Sequence, residues 1–330
     1  MSASPSVAVI GAGIAGLSCA RALQAAGCEV TIFEKSRGPS GRMSTRNTDT
    51  WQCDHGARFF TAGDSLFQRE VADWQQAGWA APWAAQYARH DGRALVPLVV
   101  DEARYVGVPG MNAIGHALAR TLALRAGMTV QTLKRDAGGW WLQFKEDVPR
   151  AGPYQSVLLA IPAPQAASLL MTLDAEWHAL ASGVKMRGCW TLMLQYQARL
   201  AMPFDALQLD QGPLDWVARD SSKPGRGGAE SWVLQAAPEW SETHLEAPAE
   251  QVAASLLDAF AALGGPRPDA WTAHRWRYAD CASPLARGAL WNVDSGLGLC
   301  GDWVDNGGVE GAWLSGRALA SQVLASLHPT

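Results

Sequence analysis

Three glycines near the N-terminus have the spacing of a phosphate-binding turn. Gly11, Gly13 and Gly16 follow the apolar run 7–10 and open a segment, residues 17–26, whose pattern predicts a helix. The first glycine permits the tight turn, the second lets a pyrophosphate approach the backbone, and the third allows close packing of helix on strand. The N–H groups at the helix N-terminus can then bind the phosphates.

An acidic residue follows at the distance expected for ribose binding. A second predicted strand, residues 29–33, runs into Glu34, which comes 18 residues after Gly16. A carboxylate there accepts hydrogen bonds from ribose hydroxyls and repels a 2′-phosphate, which disfavours NADP in this site. Together, the first strand, the helix that ends before Gly27, the second strand and its acidic residue predict a nucleotide-binding βαβ unit. A glycine-rich turn in another kind of α/β protein is the alternative.

Two further segments bear on which dinucleotide is bound, because the glycines alone do not choose between FAD and NAD. The loop 36–43 contains Arg37, Gly41 and Arg42 and can present N–H groups and a guanidinium to the same pyrophosphate. A solvated basic turn is the alternative for this loop. Near the C-terminus, Asp302 follows a predicted strand and precedes a predicted helix at 309–327. Such a carboxylate can accept from a ribityl hydroxyl, and the helix N-terminus can stabilise charge on a reduced flavin.

These motifs belong to a longer series that runs through the chain. The blocks are AVIGAGIAGLSCARAL, EKSRGPSGRM, DHGARFFTA, VGVPGM, LLAIPAPQA, GVKM, AHRWRYA, CGDW and VEGAWLSGRA. In this order they resemble the bacterial renalases, a family within the FAD-dependent amine-oxidase superfamily. The sequence departs from that family at Ser40, where a glycine is common, and at Arg58, where a glutamine is common.

The motifs and the resemblance together predict non-covalent FAD and its contacts. The resemblance places Asp302 on the ribityl chain and the backbone of Val130 at the adenine. None of the six cysteines stands in the family's context for covalent attachment. The predicted contacts are Gly11, Gly13, Ile14, Ala15, Gly16, Glu34, Lys35, Arg37, Gly41, Arg42, Met43, Phe59, Val130, Gly301, Asp302, Glu310, Gly311 and Ala312.

The pattern of elements predicts an α/β fold with two domains. Residues 1–78, 104–165 and 273–330 form a discontinuous FAD-binding domain of the Rossmann type, similar to glutathione reductase and p-hydroxybenzoate hydroxylase. Residues 79–103 and 166–272 form a substrate domain with a mixed or antiparallel sheet, because longer amphipathic strands are predicted there. A helix is predicted over residues 111–126.

The remaining motifs leave the redox chemistry to the flavin. The sequence contains no second Rossmann unit, no CxxC after the first helix, no GxSxG and no HExxH. We expect His274, Trp276 and Trp303 to position or stack on the substrate, although core packing is the alternative for each. Arg58 is a further candidate. Lys185 is another, since superfamily members hold a lysine near the flavin N5 through a water, with a surface lysine as the alternative.

The resemblance also implies a reaction. Renalases oxidise 1,2- and 1,6-dihydro-NAD(P) to NAD(P)+, and O2 (giving H2O2) or another acceptor, such as a quinone, reoxidises the FAD. Two other functions stay open: an FAD-dependent amine oxidase, and a flavoprotein that binds NAD or a partner without turnover.

Composition excludes several classes of partner. The chain has 330 residues, a net charge of −4 and no basic run, so no nucleic-acid surface is expected. No apolar run is long enough for a membrane span, and the polar residues 1–6 predict no signal peptide. The six cysteines show no paired spacing, which fits reduced thiols in the cytoplasm.

Overall fold

The computed structural model describes residues 4–327, so the expected absence of a signal peptide at residues 1–6 lies partly outside the described residues. The helices are α1 (Ile14–Ala25), α2 (Ser65–Gln76), α3 (Ala113–Ala119), α4 (Ala163–Leu170), α5 (Ala175–Gly183), α6 (Pro238–Thr243), α7 (Ala249–Ala262) and α8 (Gly308–Leu327), with 3-10 turns at Gly41–Met43 and Asp220–Ser222. The strands are β1 (Ser6–Ile10), β2 (Glu29–Glu34), β3 (Thr45–Asn47), β4 (Gln52–Asp54), β5 (Ala80–Pro82), β6 (Tyr87–His90), β7 (Leu95–Pro97), β8 (Tyr105–Gly107), β9 (Ala123–Ala126), β10 (Val130–Asp136), β11 (Gly139–Phe144), β12 (Ala151–Tyr154), β13 (Ser156–Leu159), β14 (Met186–Tyr196), β15 (Ala206–Leu209), β16 (Leu214–Arg219), β17 (Glu230–Ala236), β18 (Ala270–Cys281), β19 (Leu290–Asn292) and β20 (Leu297–Leu299).

A six-stranded sheet carries the glycine-rich turn. Its order is β19-β20-β13-β1-β2-β9, and all its pairs are parallel except β19 with β20. The strands β1, β13 and β20 are almost continuously apolar and buried, as central parallel strands with both faces covered must be. Helix α8 crosses α1 closely enough that a Cβ on Gly316 would lie 2.2 Å from the carbonyl oxygen of Ala15. The predicted Rossmann-type α/β fold is therefore confirmed.

A seven-stranded sheet forms the second layer. Its order is β18-β14-β17-β16-β15-β6-β7, antiparallel except for the parallel pair β15–β6. Helix α7 buries Val252, Leu256 and Phe260 against one face of this sheet. The mixed sheet predicted for the substrate domain is thus present, and the hairpin of β6 and β7 forms its edge.

Two segments differ from the sequence predictions. The helix predicted over 111–126 ends at Ala119, and residues 123–126 form β9, because they pair in parallel with β2 at the edge of the first sheet. Residues 273–281 were assigned to the FAD-binding domain, yet they belong to β18, which pairs with β14 in the seven-stranded sheet. The division of the chain into two domains stays a proposal, with this boundary moved to the end of β18.

Four buried charged side chains link the two parts of the molecule. Asp54 at the end of β4 pairs with Lys223 at 2.9 Å and with Arg226, and Lys223 also pairs with Asp220 at 2.7 Å. These four side chains are at most 1% exposed. Asp54 also accepts from the N–H of Met111 at 2.9 Å. The cluster fixes β4, and with it the segment that begins at His55, against the β16–β17 connection.

Between residues 4 and 327, no helix has both the length and the hydrophobicity needed to span a membrane.

Candidate functional site

A large cavity lies where both sheets meet the loops. Its volume is about 1580 Å³, and its walls come from the β1–α1 turn, the segments 35–48 and 55–59, and strands β14 and β18. Ligand pockets are usually about 300–1000 Å³ in volume. The cavity therefore has room for a dinucleotide and a second molecule.

The glycine-rich turn borders this cavity in the expected way. Gly11 has φ +104°, and a Cβ there would lie 2.4 Å from the carbonyl oxygen of Ala160. A Cβ on Gly16 would lie 2.0 Å from the Gly11 oxygen, so Gly16 serves the packing of the turn. Gly13 lines the cavity and has no atom within 4 Å of its Cβ position, which leaves that side of the turn open to a ligand.

Glu34 lies at the end of β2 with its carboxylate fixed at the cavity wall. It is 6% exposed and accepts hydrogen bonds from the N–H groups of Ala12 at 2.8 Å and Ser36 at 2.7 Å. Since a carboxylate has about four acceptor positions, it can still accept from a ligand's hydroxyl groups. The acid predicted to bind ribose is therefore positioned by the same turn that would hold the pyrophosphate.

Arg42 and Asp302 form a bidentate ion pair at the cavity wall. The two guanidinium-to-carboxylate distances are 2.8 and 2.5 Å, and Arg42 also donates to the carbonyl oxygen of Ala279 at 3.1 Å. Burial lowers the pKa of Arg42, but the Asp302 carboxylate outweighs it, so the pKa lies above its ordinary value. The sequence predicted a separate cofactor contact for each of these residues, whereas in the structure their side chains bind each other.

The residues present fit a flavin dinucleotide. The cavity is long enough to run from the glycine-rich turn to the seven-stranded sheet, and the Gly13 side of the turn is open. Three predicted contacts lie outside its lining. Gly16 packs within the turn, and Gly311 packs on Asn306. The Glu310 carboxylate accepts hydrogen bonds from the N–H groups of Gly63 at 2.9 Å and Asp64 at 2.6 Å. The predicted contacts that do line the cavity are Gly11, Gly13, Ile14, Ala15, Glu34, Lys35, Arg37, Gly41, Arg42, Met43, Phe59, Val130, Gly301, Asp302 and Ala312.

Two histidines and a tryptophan form one wall of the cavity. The ring centroids of His274 and Trp276 are 4.4 Å apart, those of His55 and His274 are 4.7 Å apart, and His55 stacks on Trp276 at 5.4 Å. The Trp276 indole donates to the carbonyl oxygen of His55 at 2.7 Å. His274 and Trp276 were predicted for this role. His55 was missed, although it lies within the DHGARFFTA block, because no role was attached to it there.

Both imidazoles are neutral at pH 7. Burial lowers the pKa of His55 to about 4, helped by the charges of His274 and Arg46. Burial and the charge of Arg46 lower the pKa of His274 to about 4 as well. A group with so low a pKa is a weak proton acceptor at neutral pH. This wall therefore offers flat surfaces and N–H or N atoms rather than a general base.

The low histidine pKa values predict acid sensitivity. Protons bind the unfolded imidazoles near pH 6.5 but the folded ones only near 4, so stability is complete above pH 6.5 and falls as the pH drops toward 4. For His55 the loss is about 2 kcal/mol between pH 7 and pH 5. Urea unfolding at pH 7 and at pH 5 should show this loss in the free energy of unfolding. A His55→Gln variant should have a shallower pH dependence than the parent; equal slopes would contradict the assignment.

Arg58 bridges the loop 55–59 and the seven-stranded sheet inside the cavity. Its guanidinium pairs with Asp215 and donates to Gln235 Oε1 at 2.5 Å, while Gln235 donates to the carbonyl oxygen of Gly56 at 2.7 Å. Asp215 and Gln235 were missed by sequence reasoning. The only signal was a polar residue within each apolar strand, and only the folded sheet shows that both meet Arg58.

Two predicted substrate residues lie elsewhere. Trp303 is fully buried in the core beside Leu159 and Val304, with its indole donating to the carbonyl oxygen of Ile161 at 2.9 Å. It presents no face to the cavity, because the turn after β20 directs it inward. Lys185 lies exposed on the protein surface and is not part of the cavity wall.

The cavity wall is positively charged in a protein that is negative overall. Among residues 4–327, eight lysines and arginines line it: Lys35, Arg37, Arg42, Arg46, Arg58, Arg187, Arg275 and Arg277. Four carboxylates line it in the same part of the chain, those of Glu34, Asp215, Asp280 and Asp302. These lysines, arginines and carboxylates give the wall a net positive charge, against −4 for the whole sequence. Such a site attracts anions.

Sequence comparison identifies two matching families. Residues 9–73 match the NAD(P)-binding Rossmann-like domain, and residues 76–324 match the flavin containing amine oxidoreductase family. The hydroxyneurosporene desaturase of Cereibacter sphaeroides is 44% identical over 69 residues, which are 21% of this chain and 13% of that protein. The 4,4′-diapophytoene desaturase of Staphylococcus haemolyticus is 48% identical over 50 residues, 15% of this chain and 10% of that one. The chain thus matches only about a tenth of the length of these curated relatives.

Solved structures share the fold over the whole chain. A protoporphyrinogen oxidase candidate from Exiguobacterium sp. 255-15 superposes with a TM-score of 0.79 at 11% identity, covering 97% of this chain and 99% of that one. Cyclohexylamine oxidase from Brevibacterium oxydans IH-35A gives a TM-score of 0.74 at 12% identity, covering 98% and 100%. The match over residues 76–324, which is more than half of the sequence, shows that this chain belongs to the flavin containing amine oxidoreductase family.

Proposed function

We propose that the protein binds FAD non-covalently and oxidises 1,2- and 1,6-dihydro-NAD(P) to NAD(P)+. A bound flavin would supply the hydride acceptor, its N5, and O2, giving H2O2, or another acceptor such as a quinone would take the two electrons from it. One dihydro-NAD(P), one O2 and one proton give one NAD(P)+ and one H2O2. The six cysteines are free thiols, which supports the further proposal of a reducing, cytoplasmic location.

The charge of the cavity is the observation that carries this proposal. Eight cationic side chains face four carboxylates there, within the part of the chain that the structure describes, and an excess of two positive charges is left after the two phosphates of FAD are counted. An amine substrate arrives mainly as an ammonium ion at neutral pH, which this wall repels, whereas a dinucleotide brings two or more negative phosphates. The cavity favours the dinucleotide.

The imidazole wall supports the same choice. Oxidation of an amine requires its neutral form, so a site for that reaction gains from a proton acceptor. A dihydropyridine loses hydride directly to give an aromatic pyridinium and needs no base. His55 and His274, with pKa values of about 4, are poorly suited to take a proton at pH 7. A flat neutral wall is suited to holding a planar ring at the correct distance.

We assign His274 and Trp276 to substrate positioning. Trp276 is anchored through its N–H to the His55 carbonyl oxygen at 2.7 Å, so its ring is held in one orientation. His274 packs edge-on against it at 4.4 Å and can offer a ring nitrogen to a carboxamide. Arg58, held by Asp215 and Gln235, keeps the loop 55–59 in place rather than contacting the reacting atoms.

Glu34→Ala tests the cofactor assignment. Removing the carboxylate takes away the expected bond to a ribose hydroxyl and frees the Ala12 and Ser36 N–H groups. We expect FAD binding to weaken by about 1–3 kcal/mol, measured by titrating apoprotein with FAD. Glu29→Ala, an exposed glutamate at the start of the same strand, is the matched control. A Glu34→Ala variant that keeps its flavin through dialysis like the control would show that Glu34 does not bind the ribose.

The function is tested by comparing electron donors. Peroxide formation is measured with 1,2-dihydro-NAD, with ordinary 1,4-NADH and with a primary amine. We expect rapid turnover with the 1,2 isomer only. Turnover with the amine alone would instead establish an amine oxidase. A flavin-loaded protein that reacts with none of the donors and passes no electrons to a quinone would be a binding protein.

A further inference from the structure

Of the seven arginines in the cavity wall, Arg46 is one of two, with Arg37, that have no anionic partner among residues 4–327. Five of these arginines are held in ion pairs with carboxylates: Arg42, Arg58, Arg187, Arg275 and Arg277. Lys35 and Arg37 lie beside Glu34, at the end of the cavity near the glycine-rich turn. Across residues 4–327, the side chain of Arg46 makes neither an ion pair nor a hydrogen bond, although it is half-buried and lines the cavity.

The position of Arg46 places it beside the imidazole wall. It lies on β3 opposite Cys53 of β4, and β4 leads directly into His55. The His55 N–H donates to the Ser44 carbonyl oxygen at 3.3 Å and so continues this pairing, which places the side chains of Arg46 and His55 on the same face of the hairpin. Burial is the main cause of the low pKa of His55 and of His274, and the charge of Arg46 lowers both pKa values further.

His55 supplies a second unused polar atom at this point. Its side chain is only 7% exposed, it lines the cavity, and its Nδ1 has no hydrogen-bond partner among the described residues. A buried polar atom without a partner costs free energy, so such atoms usually have a ligand, an ion or water to satisfy them. A guanidinium and an imidazole N–H together form a donor set suited to an oxyanion.

We propose that Arg46 and His55 form an anion subsite that binds a phosphate group of the substrate. The identification of the anion as the substrate's phosphate rests on the proposed function, whereas the subsite itself does not. A substrate with a phosphate would be oriented by this contact with its ring against His274 and Trp276. The cofactor's own phosphates are the other source of the same chemistry, and the experiment separates the two.

The subsite is tested first by binding, without turnover. Inorganic pyrophosphate is titrated into the flavin-loaded protein and the flavin absorption spectrum is followed. We expect a saturable change whose apparent affinity falls about tenfold or more in Arg46→Ala. Arg277→Ala removes a lining arginine that Glu246 already holds and should change the affinity less than about threefold. The flavin content of both variants should equal that of the parent.

Three results would overturn the subsite. No saturable change in the parent protein would mean that no anion binds near the flavin. Equal weakening in both variants would assign the effect to overall charge. Loss of flavin from Arg46→Ala alone would assign Arg46 to the cofactor's phosphates.

A second measurement identifies the substrate's anion. The rates of flavin reduction are compared for the 1,2-dihydro forms of nicotinamide mononucleotide and of the phosphate-free nicotinamide riboside. The parent and Arg277→Ala should prefer the mononucleotide, and Arg46→Ala should lose that preference. An unchanged preference in Arg46→Ala would contradict the phosphate assignment. If neither compound reduces the flavin in the parent protein, the proposed function fails, while the pyrophosphate titration still decides the subsite.

Discussion

Replacing Asp54 with alanine should lower the free energy of unfolding by about 3–5 kcal/mol, the cost of removing one partner from a buried ion cluster. Asp54 receives Lys223 at 2.9 Å, Arg226, the Thr45 hydroxyl at 2.6 Å and the Met111 N–H at 2.9 Å. Without it, two buried cations share the single carboxylate of Asp220. Urea unfolding measures the loss. Asp54→Asn, which keeps the shape and removes the charge, should fall between the parent and alanine variants.

A surface aspartate provides the matched control. Asp210 pairs with Arg89, and these side chains are 27% and 51% exposed. Because exposed ion pairs contribute little, Asp210→Ala should cost less than about 1 kcal/mol. Equal losses in Asp54→Ala and Asp210→Ala would mean that the buried cluster does not hold the β4 segment in place.

Gly13→Ala should separate flavin binding from folding. Gly13 has φ −73° and ψ 175°, a conformation open to alanine, and no atom lies within 4 Å of its Cβ position. The methyl group would therefore leave the fold intact. It would occupy the space through which a pyrophosphate reaches the N–H groups of α1. Losing one such charge-assisted bond should weaken FAD binding about 10–100-fold, measured by titration of the apoprotein.

Gly183→Ala is the control for this substitution. Gly183 also has no atom near its Cβ position, and it lies at the end of α5, outside the cavity wall. Both variants should unfold within about 1 kcal/mol of the parent protein. Undiminished FAD affinity in Gly13→Ala would show that the phosphates do not bind at this turn.

Local features were predictable from the sequence because adjacent residues decide them. The turn between β1 and α1 requires glycine at Gly11, where φ is +104°. Helix α2 begins where Asp64 can cap it, and its carboxylate accepts from the N–H groups of Leu66 and Phe67. His274 and Trp276 could be placed at the cavity because they lie in a recognisable block. Each of these features depends on a short stretch of chain.

Features that depend on distant partners were not predictable in the same way. The helix predicted over 111–126 was too long, and the domain boundary at residue 273 falls within β18, because the partners of β9 and β18, β2 and β14, are about 90 residues away along the chain. Trp303 was predicted to position or stack on the substrate, but the turn after β20 places its ring in the hydrophobic core. The meeting of Arg58 with Asp215 and Gln235 depends on the packing of a loop on a sheet. The start of helix α4 is marked in the sequence by prolines, which are common in the first turn of a helix.

We propose above that the cavity holds a flavin that takes hydride from a dihydronicotinamide ring. The most direct measurement is anaerobic titration of the purified yellow protein with 1,2-dihydro-NAD, with stopped-flow recording and the same experiment using 1,4-NADH. We predict that one equivalent of the 1,2 isomer bleaches one equivalent of flavin and yields NAD+, while 1,4-NADH reacts far more slowly. Equal rates of bleaching by the two isomers, or a colourless protein that binds no added FAD, would contradict the account.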